Sequence, residues 1–450
     1  MPQAGAALNW QSEAEQARWR ASTRVAFRFV FCYLTLYTLY ILGNEQELFH
    51  YWIFGRLTDS FIDPLWHRVV PWVGKHIPHL ATDITIFTNG SGDTTYDYVL
   101  VLCELFVAAV ATVVWSALDR KRSNYRVLRE WLRLLVTLAL AMEMFSYGMD
   151  KLIPVQFGSL TLARLSQRVG ELSPEDMLWT FMAASKPYTM FTGLTEVLAG
   201  ILLLVPRLRT LGALVTVGAM SQVFALDMSY DVPVKLGSLH YLLMAAFLLV
   251  PETERLLNVL VLNRTAAPRT FTALSNRSWI NRVALILPVL LAVLWLSTVT
   301  HFSLKRYAAE NPSAVAQCPL YGVWIVDDFS ATGIPKPLLT EKLARDMNIG
   351  SGDTFTELIF DAPGSLLIHF SNGVLDYTKL TIDQVKNTAS VSDDDDVNWK
   401  SDFAYQRAGD RLNLQGHING NLVTLKLHRW DLANSRLTSR GFHWINEFPF

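Results

Sequence analysis

Seven long apolar runs, spread over the first two-thirds of the chain, constrain its fold more than any other feature. Several contain about 17 to 22 residues, enough to cross ~30 Å of hydrocarbon as a helix that rises 1.5 Å per residue. Only 18% of the 450 residues are charged, whereas soluble domains have about 25%. We therefore predict a mainly α-helical membrane protein, with seven transmembrane helices at residues 25–42, 98–117, 132–147, 188–205, 211–226, 236–250 and 283–299.

The basic residues between these runs predict on which side of the membrane each loop lies. Lys and Arg are concentrated in residues 120–129, 207–209 and 255–282, and loops of this kind stay on the cytoplasmic side. The polar segment 1–24, with Arg18, Arg20 and Arg24, is predicted to be cytoplasmic as well. The odd number of spans then places residues 301–450 outside a cell (inner) membrane, in the periplasm or the extracellular space.

The long connection at residues 43–95 is too aromatic and too apolar to be a plain solvated loop. Residues 66–80 read as a short amphipathic helix in the membrane interface, where Trp is favoured. His76 and His79 would share one face of that helix. Together with His67, they are interpreted either as interfacial residues or as a metal site.

Two further stretches carry helix-start signals. Ser173 and Pro174 fit the N-cap and N1 positions of a helix, which would continue through residues 177–184 as an interfacial or re-entrant segment. In the turn at residues 89–94, either Asp93 or Thr94 is placed to cap the second span.

The last 150 residues change character, becoming polar and alternating. Short strands at residues 321–326, 355–360, 365–370, 413–417, 422–428 and 441–445 predict an antiparallel barrel or sandwich. The acidic run 393–396 is interpreted as a solvated loop, with a calcium site as the alternative. The predicted domains are a cytoplasmic segment 1–24, a transmembrane bundle 25–300, a linker 301–317 and an extracytoplasmic β-barrel 318–450.

Charge and cysteine content exclude several classes of partner and site. The net charge of −1 gives no basic surface for nucleic acid. Cys32, Cys103 and Cys318 have no metal-type spacing, so we expect neither a disulfide framework nor a cysteine metal site. The partners that remain are the lipid bilayer, a lipid-soluble small molecule, and another membrane or extracytoplasmic protein.

Three segments of the membrane part follow one pattern. They read FSYGMDKL at residues 145–152, TGLTEVLAGILLL at 192–204 and DVPVKLGSLH at 231–240. A Gly and then a Lys at the outer end of one span, followed by a Glu with Ala-Gly in the next, resembles the DoxX family over about residues 95–255. The resemblance implies a four-helix core with inward polar residues and, as in some members, quinone-coupled chemistry. The fold is also similar to the membrane part of vitamin K-dependent carboxylases, whose longer motifs are not present.

The C-terminal region carries a second resemblance. Gly322-x-Trp324 near the start of the barrel matches the short signature of the lipocalin (calycin) superfamily. In such barrels an Arg near the final strand often lies against this Trp, and Arg440 is the matching candidate. The resemblance implies a lipocalin-like barrel, although its usual acidic motif is not evident.

Ionisable residues gather at the predicted outer ends of the spans, at depths of about 6 to 12 Å by helix arithmetic. Such residues are costly in a membrane and usually face a bundle interior or a cavity. The other half of the bundle contains almost no charge in this topology. The predicted catalytic residues are Glu196, Lys151, Lys235, Asp231 and His240, and the predicted cofactor-binding residues are Glu104, Glu143 and Tyr147.

In the functional interpretation, Glu196 handles protons, with Lys151 and Lys235 as its electrostatic partners. Asp231 orients the group and His240 relays protons. In the structural interpretation, Glu196 pairs with a lysine only to hold helices in register. A lone His on an apolar face such as His240 is more often a satisfied core residue than a proton relay, and no second His at i+3 or i+4 supports a metal there.

Three functions remain open from the sequence. The first is a quinone-linked oxidoreductase or proton-transfer component that works through an outward-facing polar chamber. The second is a non-enzymatic, membrane-anchored protein that binds a ligand or assembles with a partner through the barrel. The third is a small-solute transporter, against which the sequence shows no clear inverted repeat.

Overall fold

The computed structural model describes residues 10–11, 18–44, 58–77, 83–86, 90–266, 271–309, 318–331, 334–335, 354–392, 400–418, 421–431, 435–441 and 443–445. The chain divides into two compact units. The bundle unit is Met1–Gln156 with Pro187–Ser303, and the barrel unit is Phe157–Lys186 with Leu304–Phe450. His79, the acidic run 393–396 and residues 310–317 of the predicted linker lie outside the described residues.

Helices dominate the described chain, and seven of them are long and apolar enough to cross a membrane, which confirms the predicted spans. The helices are α1 (Ala21–Asn44), α2 (Asp63–His76), α3 (Thr95–Leu118), α4 (Arg126–Leu152), α5 (Leu162–Ser166), α6 (Pro174–Ala184), α7 (Lys186–Leu204), α8 (Arg209–Ser229), α9 (Lys235–Leu249), α10 (Thr253–Leu260), α11 (Ser278–Ala309) and α12 (Arg436–Ser439). The candidate spans are α1, α3, α4, α7, α8, α11 and the stretch Lys235–Leu260, which contains α9 and α10.

Helix α4 is the centre of the bundle. In its most apolar window 78% of the residues are buried, against 22–39% in the other six spans. Ionisable side chains in a membrane helix usually face the interior of the bundle, and a helix enclosed by its neighbours offers that interior on most of its surface. The polar residues of α4 therefore lie in the protein interior.

The predicted short helices form, with local corrections. Ser173 caps α6 by accepting a hydrogen bond from the Asp176 amide, with Pro174 at N1. The interfacial helix begins at Asp63 and ends at His76. There the His76 Nδ1 atom lies 2.7 Å from the Trp72 carbonyl oxygen, which is a local contact within the helix.

The barrel unit contains a closed antiparallel barrel of eight strands. The strands are β1 (Gly322–Ala331), β2 (Phe355–Ala362), β3 (Ser365–Phe370), β4 (Leu375–Asp383), β5 (Thr388–Ser392), β6 (Lys400–Ala408), β7 (Arg411–Ile418) and β8 (Asn421–Arg429). Each strand pairs with the next along the chain, and β8 returns to pair with β1. The register of this closure runs from Val423 opposite Ala331 to Arg429 opposite Trp324.

Alternation of side chains builds the barrel interior. Along β7, exposed and buried residues alternate strictly from Arg411 to Ile418, as a period of two requires. The inward side chains form one apolar core around the fully buried Trp324. The rings of Phe329 and Phe355 lie 5.1 Å apart in it, so bulky aromatic groups fill this part of the barrel.

Two expectations for the barrel were wrong. The Arg over the Trp324 ring is Arg407 of β6, at 5.5 Å from the ring centroid, and not Arg440. Arg407 also donates to the Pro319 carbonyl at 2.6 Å, so it closes the barrel end beside the Trp. The predicted last strand at 441–445 does not form at its described residues, and the short helix α12 precedes them. Strands β4, β5 and β6 were not predicted.

Candidate functional site

A buried ion pair between α4 and α7 lies at the core of the predicted polar group. The Lys151 Nζ atom is 2.6 Å and 2.8 Å from the two Glu196 carboxylate oxygens. Lys151 is only 6% exposed and Glu196 only 2%. Of the two lysines that the sequence offered as partners, Lys151 is therefore the one that contacts Glu196.

Glycines bring the two helices close enough for this contact. A Cβ atom on Gly193 of α7 would lie 2.6 Å from the Gly148 carbonyl oxygen and 2.8 Å from the Lys151 Cβ. A Cβ on Gly148 would lie 2.9 Å from the Val197 amide nitrogen. Small residues are the usual means of close helix approach in membranes. Here they lie one turn before Lys151 and Glu196, and so set the spacing of the pair.

Tyrosines extend the pair toward α9. The Lys151 ammonium lies 5.7 Å from the Tyr147 ring centroid, and the Tyr147 and Tyr241 rings are 6.3 Å apart. The Tyr241 hydroxyl donates to Glu143 at 3.0 Å. Three predicted site residues of α4 thus belong to one connected polar group, together with a tyrosine that the sequence analysis missed.

Lys235 and Asp231 form a separate group at the start of α9. The Lys235 Nζ atom is 2.9 Å from Asp231 and 3.7 Å from Asp93. Asp93 also accepts hydrogen bonds from the backbone amides of Lys235 and Leu236, at 2.7 and 2.9 Å. Lys235, the second predicted electrostatic partner of Glu196, therefore forms its ion pairs with Asp231 and Asp93. Asp93 caps α9, whereas Thr94 caps α3.

His240 faces α1 rather than the ion pair. Its Nδ1 atom lies 2.6 Å from the Leu236 carbonyl oxygen, which can only accept, so Nδ1 carries a proton. Its Nε2 atom lies 2.5 Å from the Tyr33 hydroxyl, and its ring stacks on Tyr37 at 4.0 Å. Tyr33 and Tyr37 are one turn apart on α1, so they contact the imidazole at its edge and at its face, respectively.

Carboxyl groups outnumber cations at this end of the bundle. Glu104 is 3% exposed, and within the described part of the chain no hydrogen bond or ion pair reaches its carboxylate. One Asp227 carboxylate oxygen is also buried without a hydrogen-bond partner among the described residues. The described carboxyl groups here, which include those of Asp93, Asp97, Glu104, Glu143, Asp150, Glu196, Asp227 and Asp231, exceed the ammonium groups of Lys151, Lys186 and Lys235.

The surplus of carboxyl groups has a direct chemical consequence. A buried carboxylate without a positive partner is so costly that it takes up a proton or a cation instead. Asp227 lies within electrostatic range of Lys151, Lys235 and Asp93, so a charge change at one group is felt by the others. The arrangement is able to exchange protons with a bound molecule.

The opposite end of the bundle is also charged, so the expectation of an almost uncharged half was wrong. Arg28 of α1, 4% exposed, donates to the Tyr125 hydroxyl and to the Ser116 hydroxyl at 2.8 Å. Arg133, 3% exposed, pairs with Glu130 at 3.2 Å. Arg133 also lies 3.6 Å from Glu252, so both guanidinium groups connect their helices to neighbouring segments.

Metal ligands do not converge anywhere in the described ranges. No group of three His, Cys, Asp or Glu side chains there is placed to hold an ion. His67 makes an edge contact with the Tyr96 ring, with centroids 5.9 Å apart, and the third residue of that predicted cluster is not among those described.

Sequence reasoning missed Tyr33, Tyr37 and Tyr241 as site residues. A signal for the tyrosines was available, because the hydroxyl of a buried Tyr needs a hydrogen-bond partner. Tyr33 and Tyr37 stand four residues apart within an apolar run, so they share one helix face. Their shared partner, His240, is 207 residues away from Tyr33, and no local pattern connects the two.

Comparison with known proteins gives one informative match. The chain is 30% identical over 122 residues to the uncharacterized protein YwoB of Bacillus subtilis (strain 168), which covers 77% of YwoB and 27% of this chain. No family model matches the chain, and no solved structure does. Because the shared stretch covers most of the bacterial protein at this identity, the chain belongs to the same family as YwoB.

Proposed function

We propose that this multi-pass membrane protein is a DoxX-type proton-transfer component that binds a lipid-soluble carbonyl compound, such as a quinone, in the polar group of the bundle. The observation that carries the proposal is the buried Lys151–Glu196 pair, bonded through both carboxylate oxygens. An ammonium and a carboxylate held together out of water form an acid and a base ready to exchange a proton with a third group.

The residues take distinct roles in this proposal. Glu196 accepts or donates the proton, and Lys151 stabilises its charged form. Tyr147 and Tyr241 present hydroxyls and ring faces to a flat ligand. Glu143 and Glu104 supply further carboxyl groups, so that charge on the ligand can be balanced within the bundle.

His240 and Tyr33 form a second route for protons. Protonation of the imidazole at Nε2 reverses the direction of the hydrogen bond with Tyr33, while Nδ1 stays on the Leu236 carbonyl. Asp93, by capping α9, holds this helix end in place, and Lys235 with Asp231 forms the rim. These three act as positioning residues, since none contacts the ion pair.

The proposed orientation places the polar group at the outer, extracytoplasmic end of the bundle. The loop at residues 119–125 contains Arg120, Lys121 and Arg122, and it joins the opposite ends of α3 and α4. Basic loops of this kind stay in the cytoplasm. Residues 157–186 and the lipocalin-like barrel would then lie in the periplasm or outside the cell.

The two other functions have less support. A ligand-binding barrel needs an open interior, whereas the inward side chains form one apolar core around Trp324. A transporter would be favoured by broken helices in matching halves, and the described spans α3, α4 and α7 run without interruption.

The test is proton-linked ligand binding by the purified full chain in lipid nanodiscs. A short-chain quinone is titrated calorimetrically in buffers that differ in ionisation enthalpy, which reports the protons exchanged on binding. We expect binding with a proton change that is lost in Glu196→Gln. The matched control is Asp231→Asn, whose side chain is 84% exposed and which should keep the proton change. No binding, or an unchanged proton count in Glu196→Gln, would overturn the proposal.

A further inference from the structure

The segment that joins α4 to α7, residues 157–186, packs on the outside of the barrel within the barrel unit. Leu162 and Ala163 of α5 form one buried cluster with apolar side chains of β1, β2 and β3. Asp361 of β2 accepts a hydrogen bond from the Leu162 amide at 3.2 Å. Apolar packing and a helix cap therefore fasten the first half of the segment.

A buried histidine between two glutamates makes the second attachment. His369 of β3 is 5% exposed. Its Nδ1 atom lies 3.3 Å from Glu357 on β2, and its Nε2 atom lies 3.5 Å from Glu171 in the segment. On the other side, β4 places the apolar Leu375 opposite His369. Carboxylates from two different elements thus face the two nitrogens of one ring.

The turn after β3 fits around the Glu171 side chain. Gly373 has a φ of +85°, and a Cβ there would lie 3.1 Å from the Glu171 Cγ. Glu171 also accepts a hydrogen bond from the Arg168 amide at 2.9 Å. The carboxylate is therefore held in position against the ring.

The number of protons on the ring decides how many of these carboxylates it can bind. A neutral imidazole has one N–H donor and one bare nitrogen, whereas an imidazolium has two donors. Among the described residues, Nε2 makes no hydrogen bond. A second proton would add both a donor toward Glu171 and a positive charge between two acids, and such charge-assisted bonds are about twice as strong as neutral ones.

We propose that His369, Glu171 and Glu357 form an acid-operated latch that holds residues 157–186 on the barrel. Mild acid closes the latch, and loss of the ring proton loosens it. The segment continues directly into α4 and α7, which carry Lys151 and Glu196, so the latch regulates the site through the chain. This last step rests on the proposed function, whereas the latch itself does not.

A third acid at this attachment is Asp361. Its contribution to the pH dependence is separable from that of His369. Burial raises its pKa, although hydrogen bonds from the amides of Leu162 and Ala163 oppose the shift. Asp361→Asn removes the titration of this carboxyl, so a pH dependence that remains in Asp361→Asn does not come from Asp361.

The experiment is hydrogen–deuterium exchange of the full chain in nanodiscs at about pH 6 and pH 8, corrected for the intrinsic exchange rate. We expect the amides of residues 162–171 to exchange roughly tenfold more slowly at the lower pH, the effect of one hydrogen bond to a charged group. His369→Gln should abolish the difference. His428→Gln is the matched control, since His428 pairs with Asp327 on the exposed barrel surface, and it should keep the difference.

Two further variants keep the test decisive. Glu171→Gln leaves the ring and its strand intact and should reduce the pH difference even if His369→Gln does not fold. Asp361→Asn should retain it. The latch would be overturned if the wild type showed no pH difference. It would also be overturned if His369→Gln and Glu171→Gln both kept a pH difference as large as that of the wild type.

The proposed effect of the latch on the Lys151–Glu196 site is tested separately, by ligand affinity. Affinity for the short-chain quinone at the two pH values should change less in Glu171→Gln than in the wild type. A latch seen by exchange with no effect on affinity would refute the link alone. Exchange results also stand if no quinone binds, so failure of the latch and failure of the proposed function are distinguishable.

Discussion

Single residues decide how the charges of the bundle are balanced. Lys151 and Glu196 come from helices separated by the whole 157–186 segment, yet each is the other's contact partner. A buried ion pair of this kind adds little net stability, but the loss of one partner strands a charge in the interior. Substitution of either residue alone is therefore expected to destabilise the fold far more than substitution of both together.

Substitution of Lys151 by Met should lower the free energy of unfolding by about 3 to 5 kcal/mol, because it leaves the Glu196 carboxylate buried and unpaired. The double variant Lys151→Met with Glu196→Leu should recover most of that loss. Denaturant unfolding in mixed micelles measures both. Lys386→Met is the control, because its pair with Asp383 is solvent-exposed, and it should stay within about 0.5 kcal/mol of the wild type. Equal losses in the single and double variants would contradict the ion-pair account.

Asp361 gives a pH dependence whose sign follows from its environment. Burial raises its folded-state pKa, so the fold favours the protonated carboxyl. The stability from this group is fully present below about pH 4, its ordinary unfolded value, and is lost as pH rises through the raised folded value. Asp361→Asn should flatten the fall in barrel stability, measured by exchange of the β2 and β3 amides. A slope as steep as that of the wild type would assign the effect to other groups.

Among the elements, the contact between α4 and α7 depends on glycine. Gly193→Ala would drive a methyl group into the Gly148 carbonyl and the Leu152 amide, both at 2.6 Å, and backbone atoms cannot move aside. We expect a loss of about 1 to 3 kcal/mol, typical of an overpacked interface, and a weaker Lys151–Glu196 pair.

The matched control for this prediction lies on α8. A Cβ on Gly218 would meet nothing within 4 Å, so Gly218→Ala should be neutral or stabilise its helix by up to about 1 kcal/mol. Thermal unfolding of the two variants in the same detergent compares them. If Gly193→Ala is no more destabilising than Gly218→Ala, the close approach of α4 and α7 does not restrict the side chain at position 193.

For the whole molecule, the two units fix which loops share a side of the membrane. Residues 157–186 and the barrel belong to one unit, so we expect both on the same face of the membrane. The basic loop at residues 119–125 joins the opposite ends of α3 and α4 and must lie on the other face. This relation holds whichever face is the outer one.

Labelling with a membrane-impermeant maleimide checks the arrangement. In a background without the native cysteines, Val169→Cys and Val385→Cys, which are 70% and 94% exposed, should react from the same side of intact cells. Lys121→Cys, in the exposed basic loop, should react only after the membrane is opened. Labelling of Val169→Cys and Val385→Cys from different sides would contradict the unit division.

The sequence by itself determined most of the elements. Seven spans follow from apolar length, because a helix in lipid must satisfy its own backbone. Most of the predicted strands follow from alternation, and the start of α6 follows from the Ser173 cap. The rise in polar residues at one end of the spans also marked Glu196, Lys151 and His240 before any contact was known. These are local signals, and each depends on residues close together in the chain.

Only the tertiary structure decided the partners. Glu196 could pair with either lysine by sequence, and the close approach of Gly148 and Gly193 selects Lys151. The capping of α9 by Asp93, the grip of Tyr33 on His240 and the place of Arg407 over Trp324 all join residues far apart in the chain. Such contacts depend on which helix faces and strand edges meet, and packing of the whole chain sets that geometry, which no local pattern contains.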